Sequence, residues 1–288
     1  MSLIPALTFA ADLKIDHATI AGIDLKQMQA HLAALGIKPV YGGAHTNHAT
    51  EMAMVSFPDG SYLELMGIQE HADADALNHH AWAQELRENA GPCAWACATP
   101  DIAAEAARLK QAGLAVTPPE RGGRQRPDGV KLEWETADVG EGVRGAFFPF
   151  LIQDFTPRER RAFPNGKPVT RDFEGIRNVV IAVRNLPDAV KRYRQAYGFP
   201  EPLKEVDSAF GAQLASFGTA PVILAQPLIE QSWISARIEQ FGEGPCAVIL
   251  GGARHGHFPA AAKSRWFGVE IAWFDPAKLG WHLGFTER

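Results

Sequence analysis

The chain repeats itself, and this limits the fold more than any single motif, because a repeated unit has to pack against copies of itself. Asp16-His-Ala-Thr-Ile-Ala-Gly-Ile-Asp-Leu25 is echoed by Arg177-Asn-Val-Val-Ile-Ala-Val-Arg-Asn-Leu186. Each is a short apolar strand that runs into a polar turn and then an amphipathic segment. That segment ends at Leu35-Gly36-Ile37 in one copy and Tyr197-Gly198-Phe199 in the other. His17 and Asn178 stand 161 residues apart, Gly36 and Gly198 162, a slip of one residue. A second pair in the same order, Gly91-Pro-Cys-Ala94 and Gly244-Pro-Cys-Ala247, lies 153 residues apart. The second half reads as a duplicate of the first.

Each half divides again. Leu25, Met28, Leu32 and Leu35 recur on one helical face, with Gly36 as the stop. Thr99-Pro100 reads as a cap followed by proline, with Ile102, Ala106 and Leu109 as the apolar face. A third helix starts near Pro187 and shows Val190, Tyr193 and Tyr197. Strand-like runs follow each helix. Glu51–Phe57 and Ser61–Gly67 flank the Pro58-Asp-Gly60 turn, a hairpin signal. Lys131–Thr136 and Arg144–Ile152 serve the second unit, Gly211–Phe217 and Pro221–Leu228 the third. The fourth is faintest: strand Cys246–Gly251, an Ala-rich stretch near Pro259–Lys263, then strand Trp266–Trp273. The prediction is an α+β fold of four tandem βαβββ modules, paired into two curved, mixed but largely antiparallel sheets, since one module buries only one face of its sheet. The domains predicted are 1–156 and 157–288, joined by the Arg-, Pro- and Gly-containing stretch Asp154–Lys167.

Composition excludes several classes. Of 288 residues, 28 are Lys or Arg and 33 Asp or Glu, a net charge of −5 without a long basic run, which argues against a nucleic-acid partner. No apolar stretch approaches the ~18–20 residues that span a bilayer, so no membrane partner is expected. Met1–Ala11 is apolar but precedes the first basic residue, Lys14, and makes a poor signal peptide. Three cysteines are too few for a disulfide framework and point to a reducing cytoplasm. There is no Gly-x-Gly-x-x-Gly after a strand, no P-loop, no His-Glu-x-x-His and no Gly-x-Ser-x-Gly. Nucleotide-driven chemistry and serine hydrolysis are thus poor readings.

A βαβββ unit with His in its first strand and Glu in its last resembles the vicinal oxygen chelate (VOC) superfamily, which includes glyoxalase I, extradiol ring-cleaving dioxygenases, and fosfomycin and bleomycin resistance proteins. The glyoxalase-like branch is the nearest resemblance. It is carried by Asp16-His17, Gly42-Gly43-Ala44-His45, Ala49-Thr50 and Asp59-Gly-Ser-Tyr-Leu-Glu64-Leu65. In the second module, Arg126-Pro127-Asp128-Gly129 with Trp134, and Pro149-Phe-Leu-Ile-Gln153, are similar to the same branch. The resemblance spans about Lys14–Asp154 and reaches the second half only through the repeat. It implies that His17 and Glu64 hold a divalent metal ion (Zn, Fe, Mn or Ni). Read from residues alone, a core histidine at His17 and a salt-bridged strand residue at Glu64 are the plainer reading.

Aligning strand starts places Cys93 where a second His would stand, Phe148 or Phe150 where a second carboxylate would, and Asn178 and Leu224 at the third-module positions. The second half is therefore expected to be a copy without ligands, which serves by covering the first cleft or as a homodimer interface. His45 and His48 lie in a Gly-rich loop. His45 is the candidate proton carrier, its near-neutral pKa suiting acid–base work, though solvated loop histidines are the plainer reading. His79-His80 read as a surface feature at a helix start, and His255-x-His257 as a weaker metal candidate. Arg124 and Arg126, in a loop with Gly122 and Gly123, could grip an anion in a bidentate fork. Thr50, Arg124, Arg126, Phe148 and Phe150 are the expected substrate-binding residues, with both arginines bordering the cleft of His17 and Glu64. Two functions follow: a metal-dependent lyase, isomerase or dioxygenase acting on a small oxygen-chelating substrate, or a metal-free protein that binds and sequesters a small molecule.

Overall fold

A computed structural model of the protein describes residues 11–253 and 258–287. His255-x-His257 and most of Met1–Ala11 lie outside the described residues. In the first sheet β1 (Lys14–Ala21), β2 (Val40–Ala44), β3 (Thr50–Ser56) and β4 (Tyr62–Ile68) form one module with helix α1 (Leu25–Ala34). Two short helices, α2 (Ala74–Asn78) and α3 (Ala83–Arg87), lead to the second module: β5 (Gly91–Ala98), helix α4 (Ile102–Gln111), β6 (Glu120–Gln125), β7 (Lys131–Ala137) and β8 (Phe150–Asp154). Helix α5 (Arg158–Ala162) lies between the sheets in sequence.

The second sheet begins with β9 (Gly175–Ala182), α6 (Leu186–Tyr197), β10 (Leu203–Asp207), β11 (Ala212–Ser216), β12 (Val222–Pro227) and α7 (Trp233–Phe241). It continues with β13 (Gly244–Gly251), β14 (Ala262–Trp266), β15 (Val269–Trp273), α8 (Pro276–Leu279) and β16 (His282–Phe285). The strand orders are β2-β3-β4-β1-β5-β8-β7-β6 and β10-β11-β12-β9-β13-β16-β15-β14, the same path walked twice. Within each module the first strand pairs parallel with the last, and the two central strands of each sheet run antiparallel. The α+β reading of paired modules in two mixed sheets holds.

Local chemistry explains the shared start of each module. Asp24, Asp101 and Asn185 cap α1, α4 and α6 by accepting from the backbone N–H three residues on. The cap of α4 is thus Asp101 rather than Thr99. The back faces of both sheets bury into one apolar core: Ala18, Ile20, Leu63, Leu65 and Trp95 from the first join Val179, Ile181, Leu224, Val248 and Leu250 from the second. Tyr193 of α6 donates its hydroxyl to the Phe147 carbonyl across that core, at 2.5 Å. Burial of this kind contributes roughly 25 cal/mol per Å².

Several elements differ from the sequence reading. Arg144–Phe148 is not strand, and β8 starts at Phe150, because Gly145 sits at φ +69° and breaks the ladder. Glu120–Gln125 is a strand rather than a loop, and Arg126–Val130 makes the turn. Val40–Ala44, read as a loop, is strand β2, whose glycines suit a bulged edge. The fourth module has no helix between β13 and β14 among the described residues and carries the short α8 instead. No described helix is long and apolar enough to cross a membrane.

Candidate functional site

The open face of the first sheet encloses a cavity of 330 Å³. Its floor is set by strand alternation: His17 of β1, Met52 of β3, Tyr62, Glu64 and Met66 of β4, and Phe150 and Ile152 of β8. Arg124 of β6, Trp134 and Thr136 of β7, and Arg144 form the opposite wall. His45 arrives from the β2–β3 turn, and His80 and Trp82 from the segment between α2 and α3. Among the described residues the lining runs from His17 to Arg161, so no strand or helix of the second sheet covers this cleft, while Arg161 of α5, placed in the second predicted domain, lines it.

Asp16 and His17 are neighbours in one strand, and regular pleating would send them to opposite faces. A break in the β1–β5 register between Ile15 and His17 undoes that rule locally. The Asp16 carboxylate consequently meets His17 Nδ1 at 2.6 Å. Asp16 is fully buried. Burial by itself would raise its pKa, but Arg161 and the His17 bond outweigh it and hold the carboxyl well below the usual range. Arg161 donates to both Asp16 oxygens, at 2.9 and 2.6 Å, to Asp154 at 2.6 and 2.9 Å, and to the Tyr62 hydroxyl at 2.6 Å. Arg158 also donates to Asp16. With Asp16 ionised, His17 Nδ1 is the donor in their bond, and Nε2 turns to Glu64 Oε2 across 3.5 Å. Thr19 donates to the same oxygen at 3.3 Å. Tyr62 stacks on the imidazole, with centroids 4.9 Å apart, and Phe150 meets it edge-on at 5.4 Å.

The other histidines are kept uncharged. Burial lowers the pKa of His45, and its Nδ1 shares a hydrogen with Thr50 Oγ at 2.8 Å. Burial lowers His80 to about 4, and its Nδ1 accepts from the Trp82 backbone N–H at 3.2 Å. Two imidazoles that burial keeps neutral therefore line the same cavity as Glu64. Gly122 makes room for this arrangement: a Cβ there would stand 2.8 Å from the Trp134 indole nitrogen.

Of the residues singled out in sequence, His17, Glu64, His45, Arg124 and Phe150 meet in this cavity. Thr50 is fully buried beneath it and holds His45. Phe148 packs in the back-face core. Arg126 turns away from the cleft, donating to Asp128 and to the carbonyls of Arg160 and Pro164. The expectation that both arginines border one cleft is thus corrected for Arg126: β6 alternation sends Arg124 in, while Arg126 belongs to the turn. Arg158, Arg161, Arg144, His80 and Trp82 were missed as site residues. The i,i+3 spacing of Arg158 and Arg161 puts both on one helical face, but nothing in the sequence says that Asp16 receives them.

The ligand set implied for a metal is only half present. Helices α1 and α4, and their caps Asp24 and Asp101, stand 77 residues apart. The same relation carries His17 to Ala94 and Thr19 to Ala96. Glu64, the ladder partner of Thr19, goes to Phe150, the partner of Ala96. Ala94 thus takes the place assigned to Cys93, whose buried thiol is pushed up and stays protonated. In the third module Asn178 answers His17, but Ile223 rather than Leu224 answers Glu64. Thr19 corresponds to Val180, and Val180 pairs with Ile223. Among the described residues no three His, Cys, Asp or Glu side chains converge. Two donors beside an alanine and a phenylalanine do not fit a resident Zn, Fe, Mn or Ni ion, which structural and catalytic sites hold with three or four protein ligands.

Tandem βαβββ modules around a cleft holding the first-strand histidine and last-strand glutamate define a protein of the VOC superfamily. The glyoxalase-like domain family matches residues 15–197, and the chain belongs to that family. No curated protein matches it in sequence. A hypothetical protein from Staphylococcus aureus shares the fold along the chain, with a TM-score of 0.65 and 16% identity over 96% of this chain and 99% of that one. The methylmalonyl-CoA epimerase of Mycobacterium tuberculosis aligns with 41% of this chain and 89% of its own, at 19% identity and a TM-score of 0.36. A Streptomyces coelicolor methylmalonyl-CoA epimerase variant in complex with 2-nitronate-propionyl-CoA covers 38% and 94%, at 22% identity and 0.32.

Proposed function

We propose that this protein is an enzyme of the lyase or isomerase kind that moves a proton on a small molecule bearing adjacent oxygen functions, with Glu64 as the base. The observation that carries this reading is the chain Arg161–Asp16–His17–Glu64, in which a buried carboxylate fixes the imidazole and the imidazole faces the glutamate at 3.5 Å. His17 takes up or returns the proton that Glu64 gains, and Asp16 stabilises the imidazolium formed when it does. Neutral His45 and His80 can donate to an oxygen on which negative charge builds. The rings of Trp134 and Phe150 and the thioethers of Met52 and Met66 line the space around that oxygen. The dioxygenase reading draws no support from a two-donor set, and no step here passes through a metal. Three buried free thiols support the reading of a reducing, cytoplasmic setting.

The test is hydrogen exchange in D₂O with 2-oxo acids, 2-hydroxy ketones and 2-oxo esters, followed by proton NMR. Protein-dependent deuteration beside a carbonyl, lost in Glu64→Gln, is expected. Deuteration that survives Glu64→Gln would overturn Glu64 as the base. A second reading, capture without turnover, is favoured by Phe150 standing in a ligand position. Tight binding with no exchange in any probe would select it.

A further inference from the structure

Both other arginines that line the cavity, and Arg158 behind it, have a carboxylate partner. Arg144 pairs with Asp138 at 2.6 Å, Arg161 with Asp16 and Asp154, and Arg158 with Asp16. Arg124 is the exception. It is 8% exposed, yet its one hydrogen bond goes to the carbonyl of Gly42, and among the described residues no carboxylate lies within ion-pair reach of it. A guanidinium taken out of water against a lone carbonyl is under-compensated, and burial pulls its pKa down accordingly.

We propose that Arg124 is the anchor for a carboxylate on the ligand, so that the cavity takes small carboxylic acids with an apolar body. This rests on the proposed use of the same cavity, but it concerns binding and not the proton transfer. The placement fits that division of labour. Arg124 stands on β6 and Glu64 on β4, at opposite walls, and His45 feels the charge of both. A ligand held by its carboxylate at Arg124 lays its body along Met52, Met66, Trp134 and Phe150 and brings its far end to the His17–Glu64 pair. The planar fork of a guanidinium matches a carboxylate in two parallel hydrogen bonds, and its free edge has no competing protein acceptor. At 330 Å³ the cavity is at the small end of the ~300–1,000 Å³ range for ligand sites, so the acid must be small.

The experiment titrates the full chain with phenylacetate, 3-phenylpropionate and their amides, reading the methyl resonances of Met52 and Met66 and the fluorescence of Trp82 and Trp134. The acids are expected to bind roughly ten- to a hundredfold more tightly than the amides, the range for a hydrogen-bonded charge. That preference should vanish in Arg124→Met, and in Arg124→Gln should the first variant not fold, while Lys263→Met, at an exposed pair of the second sheet, keeps it. Amides binding as well as acids, an acid preference that survives both Arg124 variants, or no probe moving either methionine would overturn the proposal. Benzylphosphonate displacing phenylacetate would overturn the carboxylate in favour of a dianion. Deuterium exchange that survives Glu64→Gln, with the acid preference intact, would sink Glu64 as base and leave Arg124 standing.

Discussion

The two sheets have the same strand order and their first modules start the helix α1 or α6 with the same kind of cap, yet only the first keeps a paired histidine and glutamate on its open floor. On the back faces, Ala18 and Ile20 of the first sheet answer to Val179 and Ile181 of the second, apolar for apolar, and all sit in one shared core. On the open faces, His17, Thr19 and Glu64 answer to Asn178, Val180 and Ile223. Asp16, which orients His17, is answered by Arg177. In the second sheet the open face is packed instead by α7, whose Ile234 and Ile238 join Ile223, Ile249 and Trp273. The comparison separates two demands. The back face must be apolar because it makes the fold, whereas the open face can keep chemistry or give it up without disturbing the strand order.

The strongest way to break this comparison is to move chemistry between the halves. Glu64→Gln should lower turnover about 10²–10⁴-fold, the usual worth of a positioned acid–base group, while Asn178→Ala leaves kcat/KM unchanged. Equal losses in both would dissolve the distinction. Next comes stability. Arg161→Met leaves Asp16 and Asp154 without their main buried partner and should cost about 3–5 kcal/mol in urea unfolding, while Lys263→Met, removing an exposed second-sheet pair, leaves the midpoint unmoved. Rebuilding the pair as Asn178→His with Ile223→Glu should fail. Ile223 is 4% exposed among apolar neighbours, so an unpaired charge there costs roughly 3 kcal/mol or more, and Arg177 cannot orient the new histidine. Exchange activity gained by the rebuilt sheet in a Glu64→Gln background would prove the orienting carboxylate dispensable.

A smaller effect treats the halves alike. His80, between α2 and α3, and His282 of β16 in the second sheet are both lowered by burial from 6.5 to about 4. Between those values the unfolded chain binds protons that the folded one refuses. Stability is therefore full above pH 6.5 and falls as the pH drops towards 4. His80→Asn and His282→Asn should each flatten that acid limb by up to one proton, read as Tm against pH. The smallest effect concerns metal: dialysis against EDTA should leave Tm and phenylacetate binding unchanged, because two donors do not hold an ion tightly. A fall in either would reinstate a metal at His17 and Glu64.

Much of the fold was legible. The hairpin around Pro58-Asp-Gly60, helices α1, α4 and α6, and the duplication all follow from periodicity, turn residues and spacing. Edge strands β2 and β6 were missed because their glycines and arginines look like loop residues, and pairing with β3 and β7 overrides that local preference. At the site, His17, His45, Glu64, Arg124 and Phe150 were found, since a resemblance and strand alternation both report which residues share a face. His80 escaped because its sequence neighbours, His79 and Asp75, are exposed, and nothing local marks the one ring that turns inward.

The sequence by itself determined that there are four modules in two copies and that only the first copy has a histidine and a glutamate to offer. These are properties of spacing and residue type, which short-range preferences and the need to bury one face convert directly into strands and helices. Only the tertiary structure decided what surrounds that pair. The bulge that turns Asp16 towards His17, the arginines of α5 that reach it from 142 and 145 residues away, and the Phe150 ring beside His17 all depend on long-range register. Shifting a strand by one residue exchanges its faces, as the replacement of Leu224 by Ile223 shows. Register is fixed by the sum of all cross-strand contacts in the sheet, which no window of sequence contains.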